Sequence, residues 1–350
     1  MTSKNQGMVP DIDSDPFGER SPAFVTKRLQ LLGGRFQFDS NSRELLRLVD
    51  SAYAGVPRHR LSAKALDFRV SLLLSSPRNA RRAVRGRLAL KRSEAPPIAM
   101  LHGAGLLGGA TELSNFAVMS EEQRAALVVV SPQMLRFPYH TRYELIELAV
   151  FTLAARAQQL VPLHAACVGH NGRGLLLMGP SGAGKSTVAL HCLLDGFDFL
   201  SEDSVFVAPK TMLATGVANF LHIRADSLRW LRRPAEAAAL RKSPVIRRRS
   251  GVKKFEIDLR RDSFRLAQSP LKIVGLVFLS SQGAGTHQLL KLMPKSEVPA
   301  NLAAIQAYGA GQPQWQRFIR KVSRLDVFEL RRGRHPLEAV EVLRHLLARQ

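Results

Sequence analysis

Apolar and polar positions along the chain follow a pattern that predicts an α/β protein. Short apolar runs of strand length occupy 68–74, 127–130, 175–178 and 197–200, and stretches with helical spacing lie between them. Strands that alternate with helices favour a sheet covered by helices. The predicted fold class is therefore α/β, with flanking helices on a sheet.

This pattern divides the chain into three parts. Residues 1–21 are polar and lack a periodic apolar pattern, which predicts a disordered tail. Pro138 interrupts the chain before a helical run that extends to about Leu160. We therefore predict a small N-terminal α/β domain over 22–138 and a larger α/β domain over 139–350.

Basic residues outnumber acidic ones by 51 to 28, giving a formal net charge of +23. Such a charge attracts negatively charged partners but says nothing about fold. It is concentrated in 78–92 and 224–265. Neither segment has the interleaved aromatic residues of a base-stacking surface or the Cys and His spacing of a zinc finger. Nucleic acid is a possible partner that these segments do not favour over a solvated basic surface.

The remaining composition predicts a cytoplasmic protein. Two cysteines, Cys167 and Cys192, cannot form a disulfide framework, and the first residues lack the apolar core of a signal peptide. The longest apolar helical run, 145–157, contains Glu147 and Arg156. It is shorter than the roughly 20 apolar residues that cross a bilayer. No membrane span is predicted.

One segment matches the phosphate-binding loop pattern of Gly, four residues, Gly-Lys-Ser/Thr. Its residues and the next one are Gly179, Pro180, Ser181, Gly182, Ala183, Gly184, Lys185, Ser186 and Thr187. Glycines allow the backbone N–H groups to surround phosphates, Lys185 supplies a positive charge, and the Ser186 hydroxyl can bind Mg²⁺. An apolar strand precedes the loop and a helical run follows it, as this motif requires. The sequence therefore predicts a site for a nucleoside triphosphate and Mg²⁺.

A hairpin immediately upstream predicts a neighbour for this loop. Asn171-Gly172 between two apolar runs is a strong signal for a two-residue turn. Paired residues would then have numbers that sum to about 343, which places His164 opposite Gly179. His164 is either a proton acceptor or orienting group near the phosphates or a structural histidine at a strand end.

Two adjacent carboxylates follow the next predicted strand. Glu202 and Asp203 follow the hydrophobic strand 197–200, with Ser201 between them and the strand. A kinase with a phosphate-binding loop needs one acid for Mg²⁺ and a base for the acceptor hydroxyl, and two carboxylates can divide these roles. The alternative is a pair of surface acids where a strand meets a turn.

The segment from Leu163 to Asp203 resembles the HPr kinase/phosphorylase family, and more closely the HPr-kinase-related proteins found beside peptide-modification genes. The resemblance implies a P-loop kinase domain of the HPr kinase type that uses ATP and Mg²⁺ to phosphorylate a serine of a small protein or a ribosomally made peptide. It assigns proton handling to Glu202 and His164, and metal binding to Ser186 and Asp203. The regulatory kinase has a second aspartate where this chain has Glu202.

The basic segment after these acids is a candidate lid. In phosphoryl transfer, negative charge develops on the phosphoryl oxygens, and a mobile loop can supply cations to neutralise it. Within 247–257, Lys253 and Lys254 are the residues that we single out for this role.

Two hypotheses for function follow. The first is an ATP- and Mg²⁺-dependent serine kinase in which Lys185 holds the phosphates, Glu202, Asp203 and His164 act at the acceptor and the metal, and the N-terminal domain recognises the acceptor. The second is a nucleotide-gated ATPase that binds an acidic partner or nucleic acid. A homo-oligomer is compatible with either hypothesis.

Overall fold

The computed structural model describes residues 24–75, 98–103, 105–111, 114–261, 264–285 and 288–349. The predicted tail 1–21 and the basic run 78–92 lie outside these residues. The described chain is mixed α/β, with three sheets and helices packed against them. Within it, no helix is both long and apolar enough to cross a membrane.

The first sheet contains seven strands in the order β1-β2-β3-β7-β6-β5-β4. These strands are β1 (Val25–Leu31), β2 (Gly34–Ser40), β3 (Asp67–Leu74), β4 (Ala99–Gly103), β5 (Leu106–Ala110), β6 (Phe116–Ser120) and β7 (Ala125–Val130). β2, β3 and β7 are parallel, and the other neighbours are antiparallel. β4 therefore forms one edge of this sheet.

The second sheet contains nine strands, with the order β11-β9-β10-β17-β13-β12-β8 and with β19 and β18 added beside β17. These strands are β8 (Val161–Leu163), β9 (Ala166–His170), β10 (Arg173–Met178), β11 (Asp198–Ser201), β12 (Val205–Ala208), β13 (Leu213–Gly216), β17 (Leu271–Gly283), β18 (Leu290–Leu292) and β19 (Asp326–Arg332). β10, β17 and β19 are parallel at its centre. The third sheet has the order β14-β16-β15, with β14 (Phe220–Ile223), β15 (Val245–Arg247) and β16 (Lys253–Asp258).

Nine helical segments, besides a short turn at Met134–Arg136, cover these sheets in the described part of the chain. They are α1 (Arg43–Tyr53), α2 (a continuous helix with parts Pro138–His140, Thr141–Ile146 and Glu147–Ala157), α3 (Lys185–Leu194), α4 (Ala225–Leu228), α5 (Pro234–Leu240), α6 (Val298–Ile305), α7 (Ala307–Ala310), α8 (Trp315–Val322) and α9 (Pro336–Arg349). The middle part of α2 is a π-helix.

The second sheet buries both of its faces, which explains the continuous apolar run of β10. Leu175 and Leu177 point to a cluster formed with α3 and α9, whereas Leu176 and Met178 point to a cluster formed with α6 and α8. Alternating side chains of one strand therefore enter two cores. This packing fixes the end of β10, from which the loop 179–187 leaves the sheet.

The helix α2 packs with the first sheet. Its apolar residues, including Leu145, Val150 and Leu153, are buried in one cluster with α1 and the strands of that sheet. This packing favours a boundary after α2 instead of at Pro138, where the sequence pattern put it. The division of the chain into two domains stays a prediction.

The hairpin at Asn171-Gly172 has the predicted register. All five residue pairs between β9 and β10, from His170 opposite Arg173 to Ala166 opposite Leu177, sum to 343. Asn171 and Gly172 have φ angles of 51° and 77°, which is the backbone that a type I′ turn requires. The register prediction is confirmed for the paired part of the hairpin, and His164 lies just beyond it.

Candidate phosphate-binding and acceptor site

The loop between β10 and α3 passes very close to a neighbouring strand. Gly179 has a φ of +144°, and a Cβ atom there would lie 2.7 Å from the carbonyl oxygen of Leu279 on β17. Only glycine fits this backbone without a shift. At the other end, Gly184 has a φ of +100° and precedes the first residue of α3. The strand, the loop and the helix follow each other in the order that a phosphate-binding loop needs.

The Lys185 ammonium group contacts the beginning of this loop. Its Nζ atom donates to the carbonyl oxygens of Gly179, at 2.7 Å, and Pro180, at 3.2 Å. Burial lowers the pKa of Lys185, while the nearby carboxylates of Asp203 and Glu202 oppose that shift. The positive charge is therefore held over the loop by weak acceptors that phosphate oxygens can replace.

The loop fits the phosphates of a nucleotide. The first N–H groups of α3 have no intrahelical acceptor and carry the positive end of the helix dipole. No atom lies within 4 Å of the position a Cβ would take at Gly182 or Gly184, so ligand oxygens can approach the backbone. Residues 179–187 are thus able to hold the phosphates, with Lys185 adding a full charge.

Glu202 contacts the first turn of α3. The Ser186 hydroxyl donates to Glu202 Oε1, and the backbone N–H of His222 donates to Oε2 at 2.8 Å. The Glu202 side chain is only 3% exposed. Both of its oxygens are occupied, and neither is open toward bulk solvent.

Ser186 and Glu202 offer the hard oxygen ligands that Mg²⁺ prefers. The described residues contain no group of three or more His, Cys, Asp or Glu side chains that could hold a metal ion. Mg²⁺ commonly uses one or two protein ligands together with phosphate oxygens and water. The pair therefore fits a metal ion that binds together with a nucleotide.

Asp203 points to a different neighbourhood from Glu202. Its Oδ1 lies 3.3 Å from His164 Nδ1, and its Oδ2 accepts from Arg248 Nη2 at 2.9 Å. Burial raises the pKa of Asp203, but the charges of Arg248 and His164 outweigh this effect and hold the pKa below its usual value. Asp203 is thus a carboxylate at neutral pH, and its side chain is 18% exposed.

His164 is fixed by its main chain and open at its ring. The Gln306 side chain donates to the His164 carbonyl at 2.9 Å and accepts from its N–H at 2.7 Å. The imidazole is 54% exposed. The structure therefore brings together His164 and Asp203, two residues that the sequence singled out separately.

Arg248 is a member of the site that the sequence analysis did not single out. It lies in the candidate lid segment between β15 and β16, and its guanidinium lies 5.5 Å from the centre of the Tyr143 ring. Lys254, which was singled out, contributes positive charge that lowers the pKa values of Lys185 and Asp203. The segment supplies cations near the loop, and Arg248 is the one that contacts an acid of the site.

A buried polar network contacts Glu202 through His222. His222 Nε2 lies 3.1 Å from Glu256 Oε1, and Arg142 donates to the same carboxylate. Glu147 Oε1 lies 3.6 Å from Arg142 Nε. Burial lowers the pKa of His222, but hydrogen bonds with Glu202 and Glu256 outweigh this and raise it above the usual value. The network links α2 and the third sheet to the site.

A cavity of about 380 Å³ opens beside Asp203 and His164. Its walls come from the first sheet, α2, the end of β8, β12 and the α6–α7 corner, and they are mostly apolar. Its volume is in the lower part of the range of roughly 300–1,000 Å³ that ligand pockets span. The cavity is therefore large enough for a small ligand or part of a peptide.

Comparisons with known proteins include a distant likeness to a solved structure. No family model and no curated protein matches the chain. Among solved structures, the chain is similar to the HPr(Ser) kinase/phosphatase from Coxiella burnetii, with 13% identity and a TM-score of 0.29 over 54% of this chain and 97% of that one.

Proposed function

We propose that this protein is an ATP- and Mg²⁺-dependent kinase that phosphorylates a serine of a protein or peptide. One observation carries the proposal: the consecutive acids Glu202 and Asp203 contact two different groups of residues. Glu202 contacts Ser186 of the phosphate-binding loop, while Asp203 contacts His164 beside an open cavity. A binding site for phosphates alone does not need the second pair.

On the nucleotide side, residues 179–187 would hold the phosphates of ATP, and Lys185 would neutralise the terminal ones. Ser186 and Glu202 would hold Mg²⁺, which neutralises charge that develops on the phosphoryl oxygens. The position of Glu202 favours a role at the metal over a role as base, because it accepts from Ser186, the hydroxyl that the motif provides for Mg²⁺, and because its side chain is less exposed than that of Asp203. We therefore prefer it to Asp203 for the metal.

On the acceptor side, we assign the base to Asp203. Transfer forms a bond from the terminal phosphorus to the serine Oγ, breaks the bond to the bridging oxygen of ATP, and leaves the hydroxyl proton on the Asp203 carboxylate. His164 lies next to that carboxylate and can orient the hydroxyl by a hydrogen bond. Arg248 would then neutralise phosphoryl charge or keep Asp203 ionised.

The test is incubation of the purified full chain with Mg²⁺ and ATP labelled in the terminal phosphate, together with pools of serine-containing peptides. Phosphoserine in a peptide is the expected product. Lys185→Ala should abolish it, because the charge on the terminal phosphates is lost, whereas the exposed Lys295→Ala should not. Nucleotide binding without transfer to any hydroxyl, in the wild-type protein, would contradict the proposal.

The nucleotide-gated binding protein remains a second candidate because of one surface feature. Five cations surround a shallow cavity of about 370 Å³, and they have no ion-pair partner within the described ranges. They are Lys210, Arg317, Arg320, Lys321 and Arg324. Release of inorganic phosphate together with salt-sensitive binding of nucleic acid would favour this candidate.

Three further features stay predictions alongside this proposal. They are a kinase domain of the HPr kinase type, a cytoplasmic location and a homo-oligomer. Acceptor recognition by the N-terminal part also stays a prediction. The cavity beside His164, which the first sheet helps to line, is a candidate place for it.

A further inference from the structure

The cavity beside Asp203 is mostly apolar. A protein that binds only phosphates does not need an apolar surface at this position. Its walls combine aliphatic and aromatic side chains from segments far apart in sequence. They include Met100, Leu148, Phe151, Phe206, Ile305 and Tyr308. Asp203 and His164 belong to the same wall. A group bound in the cavity is therefore next to the carboxylate to which we assign the acceptor proton.

The rim of this cavity exposes large apolar side chains to solvent. Met100, on the edge strand β4, is 57% exposed, and Tyr308, on α7, is 55% exposed. Exposed apolar side chains around a concave surface are typical of a binding site. Met adapts to ligands of varied shape, and Tyr adds a large rigid contact surface. The cavity and its rim thus form an apolar surface that ends at Asp203 and His164.

Charge limits what this surface can accept. Asp203 and Glu144 are the acids in the cavity wall, and Glu144 is bound by Arg249 and His140. An acidic side chain in the cavity would lose water and face the Asp203 carboxylate. An aliphatic or aromatic side chain would lose only unfavourable contact with water.

We infer that the cavity is the acceptor subsite, and that it selects a peptide with a bulky aliphatic or aromatic side chain close to the serine. The inference rests on the proposed kinase function and names its substrate class. An extended peptide advances about 3.3 Å per residue, so the selected side chain lies within a few residues of the serine. The serine hydroxyl then reaches Asp203 while the apolar side chain fills the cavity.

The experiment is a peptide library with a central serine, in which each flanking position is fixed in turn as Leu, Phe, Asp, Lys or Ser. Transfer from labelled ATP gives kcat/KM for each fixed residue. We expect one flanking position to prefer Leu or Phe over Asp by on the order of tenfold to a hundredfold, as burial of one large side chain supports. Preference for an acidic or basic residue, or for none, would overturn the inference.

Variants at the rim test whether this surface causes the preference. Met100→Glu and Tyr308→Glu should each reduce the preference by about tenfold or more, because a carboxylate then borders the apolar path. Leu101→Glu is the matched control, since Leu101 is on the same strand and is 55% exposed but does not line the cavity. All three residues are exposed, so the fold tolerates the change, and thermal melting verifies it. Equal effects at Leu101 and Met100 would contradict the inference.

Direct binding separates failure of this inference from failure of the proposed function. Fluorescent peptides in which alanine replaces the central serine, and in which each flanking position in turn is Leu or Phe, are titrated with the wild-type protein in the presence of Mg²⁺ and ADP. Binding that Met100→Glu weakens, without any transfer to serine peptides, would support the subsite and reject the kinase. Transfer without an apolar preference would retain the kinase and reject the subsite.

Discussion

Replacement of Gly179 by alanine tests how tightly the phosphate-binding loop approaches the sheet. The new Cβ would lie 2.7 Å from the Leu279 carbonyl oxygen, at a φ of +144°. A non-glycine residue in this region costs about 1–3 kcal/mol, and the overlap adds about 1–3 kcal/mol more unless the loop moves. We expect a total loss of roughly 2–6 kcal/mol, divided between folding and nucleotide binding.

Two measurements recover this total. Urea denaturation of the nucleotide-free protein gives the change in free energy of unfolding. Titration with a fluorescent ATP analogue and Mg²⁺ gives the change in binding free energy, in which about 1.4 kcal/mol corresponds to a tenfold change in Kd. If the loop of the variant stays in place, the protein loses stability. If the loop moves away from Leu279, the protein loses affinity for the nucleotide.

Gly172→Ala is the matched control for this variant. Gly172 has a φ of +77° in the hairpin turn, and no atom lies within 4 Å of its Cβ position. We expect a cost of about 1–2 kcal/mol in stability from the left-handed backbone alone, with nucleotide affinity unchanged. If the summed loss for Gly179→Ala were no larger than for Gly172→Ala, the close approach of the loop to β17 would be refuted.

Three further predictions concern the groups around the site. Burial raises the pKa of Glu147 to about 7, so the folded protein loses stability as pH rises from about 4.5 through 7. Glu147→Gln should therefore add up to about 3 kcal/mol to the free energy of unfolding at pH 8 and little at pH 4, as measured by urea denaturation. Arg248→Ala removes a partner that lowers the pKa of Asp203, so the acidic limb of the kcat/KM–pH profile should move to higher pH, and Arg248→Lys should move it less. Gln306→Ala leaves the His164 N–H and carbonyl without their side-chain partner and should cost about 1–3 kcal/mol in stability and lower kcat; unchanged values would contradict this role.

The parts of the site that could be predicted from sequence are those that local rules determine. The Asn171-Gly172 turn fixes the register of its own hairpin, because a two-residue turn allows one pairing. The loop 179–187 is specified by glycines and one lysine that are contiguous in sequence. The strand and helix on its two sides follow from apolar periodicity.

The parts that could not be predicted depend on residues far apart in the chain. Arg248 reaches Asp203 across 45 positions, and nothing in its own segment marks it apart from its basic neighbours. The roles of Glu202 and Asp203 also depend on surroundings, since only the structure gives Glu202 the buried contact with Ser186. A sequence pattern can predict two acids at a strand end but not which neighbour each one contacts.

The packing of α2 illustrates the same limit at the level of the fold. Pro138 marks the beginning of a helix in sequence, and it suggested a domain boundary there. The last part of helix α2, 147–157, is apolar on most of its surface, so periodicity does not show which sheet it covers. Its buried residues belong with the first sheet, and this position lets α2 form one wall of the cavity beside Asp203.

We propose that Asp203 receives the proton of an acceptor serine, while Ser186 and Glu202 hold the metal. The most direct test is the rate of transfer from labelled ATP to a serine peptide by Asp203→Asn, with nucleotide affinity measured in parallel. We predict a loss of about 10²–10⁴-fold in kcat with little change in nucleotide Kd, whereas Glu202→Gln should raise the Mg²⁺ concentration needed for half-maximal binding. Transfer by Asp203→Asn at the wild-type rate would contradict the claim.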